Sequence, residues 1–345
     1  MRIFLTGHQG YLGSVMAARF VEAGHRVTGL DTGYFAECQF VEPLVKTGEL
    51  CKDLRDVTVA DLQGYDAVVH LAALSNDPLG NLNEEWTMAI NDRASVRLAQ
   101  LAHAAGVERF LFSSSCIMYG ASQTAEVNED SPLDPRTAYA RSKVQAERGI
   151  AALAAPGFSP VFLRNGTVYG VSPRMRFDTV LNNLTGAAIA TGRVIVHGDG
   201  RPWRPVVHIE DVARVFLAAL EAQRERLHNQ AINAAAASVN CQVIDLARAV
   251  VAAVPGARLE CLGSPDADQR TYKASFEKIA RLLPEFRPQW GVEAGVAQLA
   301  AELQRRGLTE AEFRSPQFTR MQWLEGLIGA GRVDEELRLR EEVSA

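Results

Sequence analysis

A tyrosine and a lysine four residues apart offer the first reactive groups in this sequence. Tyr139 and Lys143 bound the run YARSK. Residues at this spacing share one face of a helix, so we expect the phenol and the ammonium to point the same way. An unperturbed tyrosine titrates near ~10, and a fixed neighbouring cation favours the phenolate and lowers this pKa. The pair can therefore move a proton on and off an alcohol, while a hydroxyl such as that of Ser115 holds the same oxygen.

By itself the spacing favours a plainer interpretation, a surface helix that carries an aromatic residue and a lysine on one stripe. The secondary structure that would position these side chains distinguishes the catalytic interpretation from the plainer one. A short apolar strand is predicted at residues 2–6, a glycine turn follows it directly, and a helical pattern covers residues 14–23. Strand, glycine turn and helix in this order are the context that a dinucleotide-binding fingerprint requires.

Each glycine of that turn has a separate task. Gly7 permits the tight turn, Gly10 lets backbone N–H groups approach a pyrophosphate, and Gly13 lets the helix pack closely on the strand. The N-terminus of the helix supplies a favourable field for the phosphates. The sequence therefore predicts a dinucleotide on this turn.

A carboxylate ends the second predicted strand. Asp31 lies 18 residues after Gly13, close to the separation of about 20 residues at which an acid binds the ribose hydroxyls of a dinucleotide. A carboxylate there repels a 2′-phosphate, so NAD is favoured over NADP. The alternative is that Asp31 merely caps a turn.

Composition sets the class of protein. Of the 345 residues 47% are hydrophobic and 22% charged, as in ordinary soluble globular proteins. The formal net charge of −5 gives no footprint for nucleic acid or an anionic membrane. Five cysteines without a C-x-x-C pair argue against a disulfide framework or a zinc ribbon. No apolar stretch approaches the ~18 residues of a membrane helix. We expect a cytoplasmic protein without a bound metal.

Together, the glycine turn, a strand-end serine and the Tyr-x-x-x-Lys spacing resemble the extended short-chain dehydrogenase/reductases that act on nucleotide sugars. The spacing G-x-x-G-x-x-G is typical of this branch, and counting back from Tyr119 and Gly120 matches Ser115 to the catalytic Ser/Thr. The resemblance covers residues 1–275. It implies NAD as cofactor, a nucleotide-diphosphate sugar as substrate and a homodimer.

The resemblance also implies roles for single residues. Ser115, Tyr139 and Lys143 would be catalytic, and Asn91 matches an asparagine that supports the active site. Asp53 matches an aspartate that hydrogen-bonds the adenine amino group, although a lone loop aspartate is more often a turn residue. His70, at a strand end, is assigned a structural role. The implied cofactor contacts are Gly7, Gly10, Tyr11, Leu12, Gly13, Asp31, Asp53, Leu54, Leu71, Ala72, Ala73, Ser113, Tyr139 and Lys143.

Substrate contacts are implied further along the chain, with three departures from the family pattern. Thr167 stands where relatives often have asparagine, and Pro205 replaces the aspartate that usually follows the arginine matched by Arg204. The Arg-Pro-Gly triplet usually found before the position of Arg270 is missing. Arg174 and Arg176 offer two guanidiniums for a bidentate phosphate contact, and a solvated loop is an equal alternative. The implied substrate contacts are Ser115, Asn165, Thr167, Arg174, Arg204 and Arg270.

The two residues after Ser115 indicate which reaction to expect. Related dehydratases carry Asp-Glu directly after the catalytic Ser/Thr, as acid and base for elimination, whereas this chain has Cys116 and Ile117. A thiol is normally protonated at neutral pH and isoleucine has no proton to give, which disfavours elimination. We therefore expect a nucleotide-sugar epimerase that acts at C4 through a transient 4-keto intermediate. A 4-ketoreductase of deoxysugar biosynthesis and a catalytically idle NAD-binding regulator are the alternatives.

Strands and helices alternate to about residue 160, which predicts an α/β protein with a doubly wound parallel sheet, the Rossmann arrangement. We expect an NAD-binding domain with the catalytic residues at 1–165. Residues 166–345 would form mainly a smaller α/β substrate-binding lobe, followed by a helical tail assigned to packing or association.

Overall fold

A parallel sheet with helices on both faces forms the larger part of the protein. The structure, a computed structural model, describes residues 1–121, 126–235, 239–263 and 271–340. The strands are β1 Arg2–Thr6, β2 Arg26–Asp31, β3 Gly48–Cys51, β4 Ala67–His70, β5 Arg109–Ser115, β6 Ser159–Asn165, β7 Thr167–Tyr169, β8 Arg193–Val196, β9 Trp203–His208, β10 Gln230–Ala234, β11 Asn240–Gln242 and β12 Arg258–Cys261. The helices are α1 Tyr11–Glu22, α2 Asp77–Leu82, α3 Glu84–Thr87, α4 Ala94–Ala104, α5 Ala138–Ala151, α6 Val180–Thr191, α7 Ile209–Glu221, α8 Arg224–Leu227, α9 Val243–Ala253, α10 Glu277–Leu282, α11 Val292–Arg306, α12 Glu310–Phe313 and α13 Arg320–Gly329.

The large sheet has the strand order β3-β2-β1-β4-β5-β6-β10, and every pairing is parallel. Along β1, Ile3 and Leu5 enter one hydrophobic layer while Phe4 enters the layer on the opposite face. Strands buried on both faces explain why the sequence reads as continuous apolar runs rather than as an alternation. The predicted doubly wound parallel sheet is confirmed.

A smaller lobe lies beyond the carboxyl ends of the large sheet's strands. It contains the three-stranded sheet β11-β9-β7 and the parallel pair β12-β8, with α6, α9 and α11 packed together. The chain does not stay in this lobe after residue 165, because α7 packs on α1 and β10 pairs with β6. After residue 165 the chain thus returns to the large sheet, and the two lobes are interleaved.

Two elements differ from the sequence pattern. The sequence predicts a strand over residues 110–120, but the strand stops at Ser115, because the Ser115 hydroxyl accepts a hydrogen bond from the Ile117 N–H (3.3 Å) and caps a 3₁₀ turn over Cys116–Tyr119. The helical pattern of residues 84–105 predicts one long helix, which is interrupted by the π-helical segment Met88–Arg93 between α3 and α4. This segment carries Asn91, which is fully buried.

Residues 310–340, here called the C-terminal segment, fold back over the large sheet's cleft. Leu324, Leu327, Val333 and Leu337 pack in a separate apolar cluster whose other members include Leu74, Leu79 and Ile90. The Tyr34 hydroxyl donates to the Leu337 carbonyl. No helix in the described part of the chain is both long and apolar enough to cross a membrane.

Candidate active site

One cavity of about 490 Å³ lies between the glycine turn, the carboxyl ends of β4, β5 and β6, and the smaller lobe. Almost all residues singled out from the sequence line it. They are Gly7, Gly10, Tyr11, Leu12, Gly13, Asp31, Asp53, Leu54, Leu71, Ala72, Ala73, Ser113, Ser115, Tyr139, Lys143, Asn165, Thr167 and Arg204. Arg174 does not belong to this lining, and Arg270 lies outside the described residues.

The glycine turn has the shape that a dinucleotide needs. Gly7 has a φ of +73°, and a Cβ there would lie 2.8 Å from the backbone nitrogen of Ala72. A Cβ at Gly13 would lie 2.0 Å from the Gly7 carbonyl oxygen. A side chain at either position would collide with this backbone, so the two glycines keep the turn tight, and the first turn of α1 leaves N–H groups for the oxygens of a pyrophosphate. The residues present therefore fit NAD.

The side chain of Tyr11 points away from that turn. Its hydroxyl donates to the Gly170 carbonyl (2.8 Å) and accepts from the Asn182 side-chain amide (3.0 Å). Ser172 donates to the Tyr11 carbonyl (2.8 Å). Only the backbone of Tyr11 is thus left for the predicted cofactor contact, and its side chain fastens the glycine turn to the loop after β7.

Asp31 ends β2 at the edge of the cavity and accepts hydrogen bonds from the backbone N–H groups of Gln9 (3.1 Å) and Gly33 (2.9 Å). The hydrogen bond from Gly33 is a turn cap, the alternative role considered for Asp31. The carboxylate therefore caps a turn and also borders the cavity. Burial raises the pKa of Asp31, and hydrogen bonds from the backbone oppose this. The contact with ribose hydroxyls stays a prediction.

Asp53 is already engaged by a neighbouring cation. Its carboxylate accepts from the Arg55 guanidinium at 2.9 and 2.7 Å and caps the short 3₁₀ turn that follows. Burial acts to raise the pKa of Asp53, but hydrogen bonds from Arg55 outweigh it and hold the pKa below its usual range. The turn role is therefore observed, while the adenine contact stays a prediction.

Three catalytic candidates converge at the centre of the cavity. Tyr139 and Lys143 lie one turn apart on α5, with the Lys143 Nζ 5.8 Å from the centre of the Tyr139 ring. The phenol shares a hydrogen bond with Ser115, which ends β5. The Lys143 ammonium donates to the Ser113 carbonyl (2.8 Å). A proton acceptor, a hydroxyl and a cation thus face one space, as the spacing predicted.

The charge states of this trio differ from the expectation. Burial raises the pKa of Tyr139 to about 12, and the Asp77 carboxylate adds to this, whereas Arg176 and the bond with Ser115 act to lower it. Burial also lowers the pKa of Lys143 to about 7. The expectation that Lys143 lowers the pKa of Tyr139 is therefore wrong for the protein alone, because burial outweighs the neighbour and the ammonium is turned toward Ser113.

A buried polar network supports the trio from behind. Asn91 accepts from the Leu74 N–H (2.8 Å) and donates both to the Leu74 carbonyl (3.0 Å) and to the Ser142 hydroxyl (3.3 Å). Ser142 donates to the Tyr139 carbonyl (2.8 Å). Asn91 thus links the loop after β4 to the catalytic helix, as the resemblance implied.

His70 belongs to the same buried layer. Its ring bonds Thr6 (2.6 Å) and Ser95 (2.8 Å), and burial lowers its pKa to about 3. A neutral, enclosed imidazole agrees with the structural role predicted for it.

Of the two arginines in the loop after β7, Arg176 lines the cavity and Arg174 does not. Arg176 is 6% exposed, pairs with Asp178 through two nitrogens and donates to the Ser75 hydroxyl (3.0 Å). Arg174 instead donates to Gln39 (3.3 Å) outside the lining. The substrate contact expected of Arg174 is thus not supported by its position, and Arg176 takes the place in the cavity wall.

Asp77 is a cavity residue that no motif in the sequence singled out. It begins α2, lines the cavity, and accepts from the Thr137 hydroxyl (2.6 Å), which itself caps α5. The sequence did contain a signal, because Asn76 followed by Asp77 and Pro78 has the cap and first-turn proline typical of a helix start. The bond fixes α2 against the helix of Tyr139.

Comparison with known proteins decides the family. A sequence model described as the NAD dependent epimerase/dehydratase family matches residues 3–235. The chain belongs to this family. The predicted membership among extended short-chain dehydrogenase/reductases, the NAD-dependent enzyme class and the NAD cofactor are thereby confirmed.

Individual relatives divide between epimerases and dehydratases. The chain is 31% identical to a UDP-glucose 4-epimerase of Corynebacterium glutamicum over 246 residues, which cover 66% of this chain and 73% of that protein. Among solved structures it resembles TunA, an NAD dependent NDP-hexosamine 5,6-dehydratase of tunicamycin biosynthesis (26% identity, TM-score 0.80, covering 89% of this chain and 99% of TunA). It also resembles MoeE5 in complex with UDP-glucose and NAD (27% identity, TM-score 0.77, covering 90% of this chain and 100% of MoeE5). The chain is an enzyme of the nucleotide-sugar epimerase/dehydratase class.

The two residues after Ser115 are those from which the sequence predicted the reaction. Cys116 is buried beneath the cavity, where its thiol donates to the Arg164 carbonyl (3.1 Å) and burial raises its pKa. Ile117 is the residue of the pair that lines the cavity. Neither places a proton donor or acceptor beside the substrate space.

The substrate side of the cavity is formed by Asn165, Thr167 and Arg204. Arg204 is 8% exposed and donates to the Trp203 carbonyl (2.9 Å). Asn165 donates to the Ser113 hydroxyl (3.0 Å), and Thr167 pairs with Val206 in the smaller sheet. Their substrate roles stay predictions. The described residues hold no cluster of three or more His, Cys, Asp or Glu that could bind a metal.

Proposed function

We propose that this protein is a nucleotide-sugar epimerase that inverts C4 through a transient 4-keto intermediate. The observation that carries the proposal is the convergence of Ser115, Tyr139 and Lys143 beside an isoleucine, Ile117, where an eliminating enzyme needs an acid or base. The 4-epimerase name of a 31% identical relative supports the same reaction. Because that name includes UDP-glucose, this sugar nucleotide is the first substrate to test.

The roles in the proposal follow from the contacts. Tyr139, as phenolate, takes the proton from the sugar C4 hydroxyl, and Ser115 holds that oxygen as it changes from alcohol to carbonyl. NAD, when bound, supplies a hydride acceptor and a positively charged ring. Lys143 lies within the same space to orient the nicotinamide ribose, and the Arg176 guanidinium stabilises the phenolate. Asn165, Thr167 and Arg204 would hold the nucleotide diphosphate.

The direct test is incubation with UDP-glucose in deuterated water, followed by NMR of the sugar. An inverted C4 without deuterium on carbon is expected, because the hydride leaves and returns without mixing with solvent. Deuterium on carbon would instead point to elimination or to a 3,5-type epimerisation. Net consumption of reduced cofactor would show the 4-ketoreductase, and the absence of turnover on a panel of nucleotide sugars would favour the idle regulator.

A homodimer and a cytoplasmic location are part of the proposal, and sedimentation of the purified protein tests the homodimer.

A further inference from the structure

The C-terminal segment brings one arginine into the cavity. Arg320, at the start of α13, is 3% exposed and lines the cavity wall. One end of its guanidinium is satisfied, because Nη2 donates to the carbonyls of Arg174 (2.7 Å) and Met175 (3.4 Å). The other end is not. Nη1 is buried and has no hydrogen-bond partner among the described residues.

An unpaired donor on a buried cation is costly unless a ligand satisfies it. The surroundings add to this cost. Burial, together with the like charges of Arg176 and Arg174, lowers the pKa of Arg320 to about 10. The nearby carboxylate of Asp178 is already paired with Arg176. The carboxylates of Asp31 and Glu49 act on Arg174 instead.

The contacts of Arg320 lead to the cofactor half of the cavity. Its guanidinium carbon lies 4.6 Å from the ring centre of Phe35, which follows Asp31 in the loop after β2. On the other side, the Arg174 N–H donates to Ser172 (3.1 Å), and Ser172 donates to the Tyr11 carbonyl in the glycine turn. Arg320 is therefore connected to both elements that border the cofactor. Its backbone N–H also donates to Asp178 (3.2 Å), the partner of Arg176.

We propose that Arg320 binds the pyrophosphate of NAD, so that the C-terminal segment supplies a cation opposite the N–H groups of the glycine turn. A pyrophosphate offers the acceptor that Nη1 of Arg320 lacks among the described residues, and a guanidinium can donate to carbonyls at one edge and to phosphate oxygens at the other. The residue lies outside the stretch matched by the family model, residues 3–235. The inference rests on NAD occupying the glycine turn.

The test compares ligands with and without the phosphates. Protein freed of cofactor is titrated by calorimetry with NAD, with ADP and with adenosine, for the wild type and for Arg320→Gln. The affinity of Arg320→Gln for NAD and ADP should fall about 10- to 100-fold, the loss expected for a charge-assisted hydrogen bond. Its affinity for adenosine should stay within about twofold, because adenosine has no phosphate. Arg314→Gln, in the exposed pair with Glu310 on α12, is the matched control and should change none of the three affinities.

A purely structural arginine gives a different pattern. If Arg320→Gln weakened adenosine and ADP by the same factor, or left ADP binding unchanged, the inference would be overturned while NAD binding by the protein stood. Wild-type protein that bound neither NAD nor ADP would overturn the proposed function as well. Should Arg320→Gln fail to fold, Arg320→Lys serves instead. It keeps the charge but cannot donate in both directions, so it should weaken ADP and spare adenosine.

Discussion

At the scale of single residues, the proton acceptor is the group on which the proposed reaction depends. We expect Tyr139→Phe to reduce turnover at least about 100-fold, because the ring stays in place while the group that moves the proton is lost. Bound NAD should be retained, since the glycine turn and Asp31 are unchanged. Turnover on a nucleotide sugar and the absorbance of bound cofactor measure the two effects.

Tyr65→Phe is the control for this variant. Tyr65 packs edge-on against Phe4 and does not line the cavity, so losing its hydroxyl should leave turnover unchanged. Equal rates for wild type and Tyr139→Phe would remove Tyr139 from the mechanism.

Lys143 should make the stability of the cofactor-free protein depend on pH. Burial lowers its pKa from the ordinary value of 10.5 to about 7. Between these values the unfolded chain binds a proton that the folded chain does not, so the free energy of unfolding increases as pH rises through this window. Below pH about 7 Lys143 is protonated in both the folded and the unfolded chain, so burying its charge lowers the free energy of unfolding by the full amount.

Denaturant unfolding at pH 7 and pH 9.5 checks this dependence. The wild type should gain stability over that interval relative to Lys143→Met, whose uncharged side chain has no proton to release. Lys46→Met, at an exposed position, should follow the wild type. Parallel behaviour of wild type and Lys143→Met would mean that the ammonium is solvated in the protein.

At the scale of elements, α2 and α5 approach each other through Gly80. A Cβ at Gly80 would lie 2.9 Å from the Cβ of Tyr139. Gly80→Ala should therefore displace the catalytic phenol, lowering kcat about tenfold and destabilising the protein by about 1–3 kcal/mol, as overpacking does. Steady-state kinetics and denaturant unfolding measure the two changes.

Gly326, within α13, is the matched control, because a Cβ there meets no atom within 4 Å. Gly326→Ala should leave kcat unchanged and add up to about 1 kcal/mol of helix stability. If Gly80→Ala behaved in the same way, the space between α2 and Tyr139 would be large enough for a methyl group.

Helix α5 is also bound to β6 by a buried ion pair. Two guanidinium nitrogens of Arg164 donate to the two carboxylate oxygens of Glu147 (3.1 and 2.7 Å), and both side chains are less than a tenth exposed. Glu147→Gln leaves the Arg164 charge uncompensated and should destabilise the protein by about 3–5 kcal/mol in urea unfolding. Glu310→Gln, which breaks the exposed pair with Arg314, should cost less than about 1 kcal/mol. Similar losses for the two variants would contradict the buried character of the first pair.

At the scale of the whole molecule, the sequence predicted the parts whose signals are local. The glycine turn, Asp31 and the Tyr139–Lys143 face each depend on a strand, turn or helix that a short stretch of chain determines. They all reached the same cavity because the carboxyl ends of parallel strands meet at one edge of a sheet. The resemblance to a known family added Ser115, whose place beside two other serines no periodicity singles out.

The features that the sequence did not predict depend on how distant elements dock. Arg174 and Arg176 stand in one loop without a regular period, so nothing local tells which of them faces the cavity. The C-terminal segment was expected to have no chemistry, yet its packing on Leu74 and Leu79 delivers Arg320. Neighbour spacing alone gave the wrong direction for the Tyr139 pKa, because the burial that raises it is a property of the folded molecule.

The return of β10 to the large sheet has a consequence for any attempt to divide the chain. A fragment ending at residue 165 would leave residues 161–165 of β6 without their parallel neighbour, since Gln230–Ala234 pairs with them in the intact protein. Every residue of β6 is buried in the intact protein. An apolar strand with a row of unpaired backbone groups is a template for other chains. Such a fragment should associate edge to edge and precipitate rather than persist as a free nucleotide-binding module.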